Sequence, residues 1–400
     1  MRPLVKQPLI GRNNTLFICA FVYCLANTII SFSLIYLFAD RFGFSAGQVG
    51  ASLTLGTGAY FLCCNLYQRF GGRAKPKYII FSAVACCFLS AVFLSVASSG
   101  AAAITAWCLI QGCTGFFWPP VMAWFTQGLT EAELNRDISW YNRAWMGGSL
   151  VGPLAGGGLY RHGLAGIFIT VFLCLFLTLF ILAFLIFFTE SVRNDNTIGR
   201  REEDKQARGV ERSNRLEKTI RSFKIRGWIS GLCGNVFIGV LGNVVPLFIR
   251  DALGYTEKTA GLVLLFRGVA GLIAFTFYAR FTFWHFNRRW FFALQGLLIA
   301  ASLMFLAAQR GIVLYSIIAF CVGFFYAGCY NNSIFHAGAD KKNPAKNMAL
   351  HEIFLSIGGA AGTLGGGFCY QYLGMGSTFL ILALIQAAGL GVQIWLDRQA

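Results

Sequence analysis

Residues 189–227 read TESVRNDNTIGRREEDKQARGVERSNRLEKTIRSFKIRG. This is the one long polar stretch in a 400-residue chain that is 56% hydrophobic and only 12% charged. A soluble domain is about 25% charged. Mean hydropathy is +0.62, and 40 residues are Phe. One soluble core cannot hide that much apolar surface. The composition therefore points to a bilayer as solvent. It argues against secreted, disordered and nucleic-acid-binding classes, despite a net charge of +17.

Working outward from that stretch, apolar runs of about 20 residues, enough for a membrane crossing, recur on both sides. Before it lie 15–38, 46–67, 78–98, 101–125, 138–160 and 164–188; after it lie 228–249, 259–281, 290–308, 312–336, 347–372 and 377–396. The first run is too long for a signal-peptide core and no small-residue cleavage site follows it, so it reads as a retained helix. The expected fold is an all-α polytopic membrane protein with twelve transmembrane helices in two pseudo-symmetric six-helix bundles. The expected domains are an N-terminal bundle (1–188), a basic cytoplasmic linker (189–227) and a C-terminal bundle (228–400).

Of the 33 Lys and Arg residues, 26 fall on the linker's side of the membrane. Five, Arg41, Arg161, Arg250, Lys258 and Arg310, fall on the other, and Arg143 and Arg267 lie within spans. This asymmetry predicts that both termini are cytoplasmic, in a plasma or inner membrane. The 13 cysteines all sit in apolar stretches, without CxxC or zinc-type His/Cys spacing. They read as small apolar filler, and no metal or cofactor is expected.

The two halves repeat. At an offset of 211, Gly43-Phe44-Ser45 falls on Gly254-Tyr255-Thr256, Gly50 on Gly261, Leu53 on Leu264 and Arg69-Phe70 on Arg280-Phe281. Near 208, Gly115-Phe116-Phe117-Trp118 falls on Gly323-Phe324-Phe325-Tyr326; at 210, Gly148, Gly152, Gly156 and Gly157 fall on Gly358, Gly362, Gly366 and Gly367. An even number of crossings per copy makes the repeats parallel, about an axis along the membrane normal.

With these features the chain resembles the major facilitator superfamily. The segment from Leu37 to Gly50 is similar to that family's loop between helices 1 and 2. Gly148, Gly152, Pro153, Gly156 and Gly157 are spaced like its helix 5 antiporter signature. Two positions depart from the family pattern: Gln68 stands before Arg69 where an Asp is usual, and Cys108 stands where proton-coupled exporters carry an Arg. The resemblance implies alternating access, with helices 1, 4, 7 and 10 lining a central cavity.

Glu352 is the acid placed well inside a span, and a carboxylate in hydrocarbon costs about 2.5–3.5 kcal/mol on insertion scales. It reads as a proton carrier, as a gate latch to Arg69 or Arg73, or as an acid favoured near a helix N-terminus. His351 adjoins it, Asn142 is its repeat partner, and Arg280 matches Arg69 across the repeat. Arg267, mid-span without an acid at its depth, suits an anionic or polar substrate. The other reading is an Arg satisfied by backbone and amide oxygens. Arg143 has the same two readings, with easier snorkelling. Asn27, Gln111, Asn235, Asn243, Asn331 and Asn332, with Trp118 and Tyr326 beside them, either line the cavity or glue helices together. Small residues in the helix 5 motif let backbones approach, and Pro153 bends the helix. Phe168, Phe172, Phe176, Phe180, Phe184 and Phe188 recur every four residues and are expected to face lipid.

The expected function is secondary active transport of a small solute by alternating access, driven by a proton or ion gradient, in a monomer. A polar or anionic metabolite fits Arg267, Arg143 and the amides; export of amphipathic compounds fits the helix 5 signature and aromatic residues. No GxxxxGK[ST] run points to ATP drive. A membrane enzyme or a non-transporting receptor is the remote alternative, since the four histidines form no recognisable catalytic constellation.

Overall fold

The computed structural model describes residues 7–70, 74–125, 131–188, 210–308, 311–339 and 344–398, and every regular element among them is a helix. The first half contains α1 (Gln7–Phe42), α2 (Ala46–Phe70), α3 (Pro76–Ser95), α4 (Gly100–Gly115), α5 (Trp118–Phe125), α6 (Glu131–Tyr160) and α7 (Leu164–Phe188). The second contains α8 (Val210–Asn243), α9 (Val245–Asp251), α10 (Glu257–Arg280), α11 (Arg288–Ala307), α12 (Ile312–Ala339) and α13 (Pro344–Arg398).

Ten helical stretches among the described residues are long and apolar enough to cross a membrane, which is consistent with the twelve expected crossings, and three of those crossings depart from simple spans. The fourth crossing is split into α4 and α5 because Pro119 and Pro120 cannot donate to the preceding turn. There Phe116 N donates to both Gly112 O and Cys113 O, at 3.3 and 3.0 Å. The seventh is split into α8 and α9, with Pro246 in the first turn of α9. The last two crossings are one continuous assignment, α13, interrupted at Gly374 with φ 79°. The polar stretch also ends earlier than expected: α8 starts at Val210, so 210–227 is helical and leads into the seventh crossing. Its Arg, Lys, Glu and Leu residues are good helix formers.

The duplication is visible in the backbone. Gly43 and Gly254 have φ of 68° and 74°, and Gly163 and Gly374 have φ of 98° and 79°. Each pair is separated by 211 residues and closes a turn that needs a left-handed residue. Phe44 N donates to Phe38 O at 3.0 Å, and its counterpart Tyr255 N donates to Ile249 O at 3.1 Å. Ser45 then caps α2 by accepting from Gln48 N, as Thr256 caps α10 by accepting from Thr259 N. All four turns lie at the end of the molecule away from Phe188 and Val210, here termed the far end; the opposite end is the linker end.

The outer face is apolar, with Leu89, Leu173, Phe176, Phe180 and Phe184 all exposed. The phenylalanine stripe of α7 does not face outward throughout. Phe168 is buried and Phe172 packs on Phe88, whereas Phe176, Phe180 and Phe184 are exposed. A four-residue step turns about 400°, so the stripe winds from core to surface.

Candidate functional site: a central cavity sealed at one end

A cavity of about 410 Å³ lies between the halves. Thr28, Ser31 and Phe32 of α1, Thr57 of α2, and Ser149 and Pro153 of α6 form one wall. Asn235 and Asn243 of α8, Leu264 and Arg267 of α10, and Glu352, Ser356 and Thr363 of α13 contribute to the other. The volume falls within the usual range for small-molecule sites, ~300–1,000 Å³. The lining is mainly hydroxyl, amide and glycine, and its two charged side chains are Arg267 and Glu352.

The lining helices differ from those implied by the family resemblance. Among the described residues, none of α4, α5 or α12 lines the cavity; crossings 1, 2, 5, 7, 8 and 11 do. The fourth and tenth crossings instead back the wall. Gln111 Nε2 donates to Asn27 Oδ1 at 3.1 Å, and Asn27 Nδ2 donates to Thr114 Oγ1 at 3.2 Å, so these amides satisfy one another. Tyr326 OH donates to Asn235 Oδ1 at 3.4 Å. Asn235 Nδ2 donates to Gly231 O, and Asn243 Nδ2 donates to Thr363 Oγ1 at 2.8 Å, fixing both lining amides.

The remaining predicted residues lie outside the lining. Trp118 packs edge-on against Tyr23, Phe117 and Tyr141. Arg143 is exposed, with its guanidinium over the Trp140 ring at 5.0 Å. Asn142 is exposed and accepts from Trp145 Nε1. Asn332 is fully buried with neither amide atom partnered, and Asn331 is half-buried beside it. His351 is buried and its Nδ1 meets Ser333 Oγ at 2.7 Å.

Glu352 is 61% accessible and opens into the cavity; His351 Nε2 lies 4.0 Å from it. It makes no ion pair with Arg69, which is exposed with its guanidinium over Phe70 at 5.7 Å. Arg73 lies outside the described residues, and Arg280 is exposed.

The far end is closed by an ion cluster that the sequence reading did not anticipate. Arg250 Nη1 donates to Asp40 Oδ2 at 2.8 Å across the two halves, and its Nε donates to Asp251 Oδ1 at 2.6 Å. Tyr160 OH donates to the same Asp40 oxygen at 2.8 Å. The Arg250 guanidinium also lies 4.8 Å from the Tyr36 ring centroid. The sequence did carry a signal, since Asp40 and Asp251 are equivalent at the 211 offset.

Glycine seams extend this closure. Gly157 of α6 lies against the carbonyl of Glu257, and Gly261 of α10 against that of Pro153. In the other half of the pseudo-symmetry, Gly367 of α13 lies against the carbonyl of Ala46, and Gly50 of α2 against that of Thr363. A methyl group at any of the four would collide with backbone. Gly148 and Gly152 similarly seat α6 on α1, against Phe21 O and Thr28; Gly156 lies over Ile29 O. The α2–α13 seam is thus tight at the far end, while toward the linker end Thr57 and Glu352 line the open cavity. Among the described residues, the hydrogen bonds and ion pairs between the halves all lie toward the far end.

Residues 16–343 match the family model of the Major Facilitator Superfamily. No curated protein matches the chain. Among solved structures, a bacterial homologue of the human lysosomal transporter Spinster, inward-facing and unoccupied, has a TM-score of 0.67 at 13% identity, covering 99% of this chain and 98% of that one. The same homologue, inward-facing and occupied, gives 0.65 at 14% identity, over 100% and 98%. A variant of the nucleoside transporter NupG gives 0.66 at 13%, over 96% and 99%. Likeness at such identity establishes the shared fold. With the family match over most of its length, the repeated bundles and the cavity between them, the chain is an integral membrane protein of the major facilitator superfamily, a family of transporters rather than enzymes.

Proposed function

We propose that this protein moves a small polar solute bearing an anionic group across the membrane by alternating access, with Arg267 as the anion-binding residue of the central cavity. The observation that carries this reading is a cavity-lining guanidinium without an acidic partner among the described residues. A half-buried Arg facing a membrane-embedded cavity without a counter-ion is costly, and an anionic ligand would compensate it. The hydroxyl and amide lining favours a polar solute over the amphipathic compounds of drug exporters.

In this reading the halves, residues 1–188 and 228–400, rock about the cavity, and the observed state is open toward the linker end. Both termini and the 189–227 linker are cytoplasmic, and the membrane is the plasma or inner membrane. A proton or ion gradient supplies the drive, and the monomer suffices. Glu352 belongs to the cavity in this state. Its pairing with Arg69 or Arg73 belongs to the opposite state, when α2 and α13 close at the linker end.

The test is solute flux into vesicles containing only this protein, using compounds that stabilise it in a thermal screen. Arg267→Ala should abolish flux while folding normally, and Arg267→Lys should restore part of it by retaining the charge but not the planar fork. Full flux by Arg267→Ala would remove Arg267 from the site.

A further inference from the structure

The cavity's two ionisable side chains carry opposite charges, yet they do not pair. Arg267 and Glu352 both line the same space. No ion pair joins them among the described residues; His351 Nε2 lies 4.0 Å from the Glu352 carboxylate, while Ser333 Oγ engages the other ring nitrogen, Nδ1. The rest of the lining contributes hydroxyls, amides and apolar groups. Two opposite charges held apart in one cavity have no direct pair to compensate the hydration that a bound solute displaces. A monoanion at Arg267 would leave Glu352 repelling it within the same small space, and a monocation at Glu352 would meet the mirror problem at Arg267.

At the other end, the Glu352 carboxylate is 61% accessible and opens into the cavity. A carboxylate open to the cavity suits an organic ammonium, which donates charge-assisted hydrogen bonds to it. The guanidinium end suits the planar oxygens of a carboxylate or the oxygens of a phosphate.

From this arrangement we infer that the transported solute is zwitterionic, with its anionic oxygens on Arg267 and its ammonium facing Glu352. The inference rests on the central cavity being the substrate site and adds the second charge to that reading. The solute compensates both charges at once, so neither end alone suffices for tight binding. The cavity's volume admits a compound of metabolite size.

The experiment is thermal stabilisation of the purified full chain by three matched probe sets. The first holds free α- and ω-amino acids of increasing chain length, short dipeptides and betaines. The second holds their N-acetylated anions where these exist, and the third their amides as cations. Zwitterions should stabilise the wild type at concentrations at least about tenfold below their singly charged relatives, each of which lacks one of the two charge contacts. Glu352→Gln should remove the preference over the N-acetylated anions, and Arg267→Gln the preference over the amides. The wild-type comparison needs no substitution, so it decides the matter even where a variant fails to fold. If anions stabilise the wild type as well as zwitterions do, and Arg267→Gln abolishes the effect, the zwitterion inference is overturned while Arg267 remains an anion site. Stabilisation by none of the sets, or stabilisation indifferent to both substitutions, overturns the cavity reading as well.

Discussion

Arg250 and Asp40 lie in different halves of the chain and meet at 2.8 Å at the far end. The same guanidinium holds Asp251 at 2.6 Å. Asp40 and Asp251 are equivalent in the internal repeat, so one Arg clamps two pseudo-symmetric carboxylates. Its own repeat counterpart is Ala39, which makes the clamp a single asymmetric device on a symmetric frame. This cluster and the four seam glycines close the cavity on the side away from the linker.

Removing the clamp should bias the protein toward opening at the far end. Arg250→Ala and Asp40→Asn are expected to shift the balance by ~1–3 kcal/mol, the usual size of such couplings. Hydrogen exchange should quicken at residues 43–45 and 252–256 in both variants, with little change at 281–287. Unchanged exchange at the far end would mean that the pair is incidental.

The glycine seams tolerate no side chain. Gly261→Ala would drive a methyl into the Pro153 carbonyl, whereas Gly58 has open space around its added carbon. Overpacking of this kind costs ~1–3 kcal/mol. Gly261→Ala should lower the melting temperature and slow flux, while Gly58→Ala should do neither. Equal behaviour of the two variants would show that the α6–α10 seam yields freely.

At the linker end, the fully buried Arg226 donates to Gln393 O at 2.9 Å and pairs with Asp397 at 3.2 Å, tying α8 to the end of α13. Arg288 shares Asp397 at 3.0 Å. Losing one partner of a fully buried pair costs ~3–5 kcal/mol. Asp397 is about one-third exposed, so a smaller loss of about 1–3 kcal/mol is expected for Asp397→Ala. Arg288→Ala, which removes an exposed partner, should cost less than 1 kcal/mol or so. Thermal unfolding of the two variants checks that order.

Orientation has its own test. A cysteine placed at Ser213 should stay unlabelled by an impermeant maleimide added outside intact cells, and become labelled once the cells are opened. Efficient labelling from outside would reverse the topology.

The crossings and the repeat were legible in the sequence because run length, turn glycines and charge asymmetry are local signals. Glu352 and Arg267 stood out for the same reason, as lone charges in apolar runs. Asn235 and Asn243 also proved to line the cavity, but the rest of the lining was not legible. Thr57, Ser149 and Ser356 are single hydroxyls without a periodic signature, and which face of α2, α6, α10 or α13 turns inward is set by glycine seams formed over 100 or more residues of separation. Asn27 and Gln111 invite a cavity reading as polar residues in spans, yet they pair with each other, as amides surrounded by hydrocarbon can. Arg143 lies close enough to a helix end to reach the surface and stack on Trp140.

The central claim is that the halves move about the cavity, closing one end as the other opens. Cysteines replacing Asp40 and Arg250, whose side chains meet across the halves at the far end, offer the most direct measurement. Flux of a stabilising solute into vesicles should stop when this pair is bridged by a short thiol-reactive cross-linker carrying a disulfide in its spacer and return on reduction, while the parent protein treated in the same way is unaffected. Undiminished flux with the cross-link fully formed would contradict alternating access through this cavity.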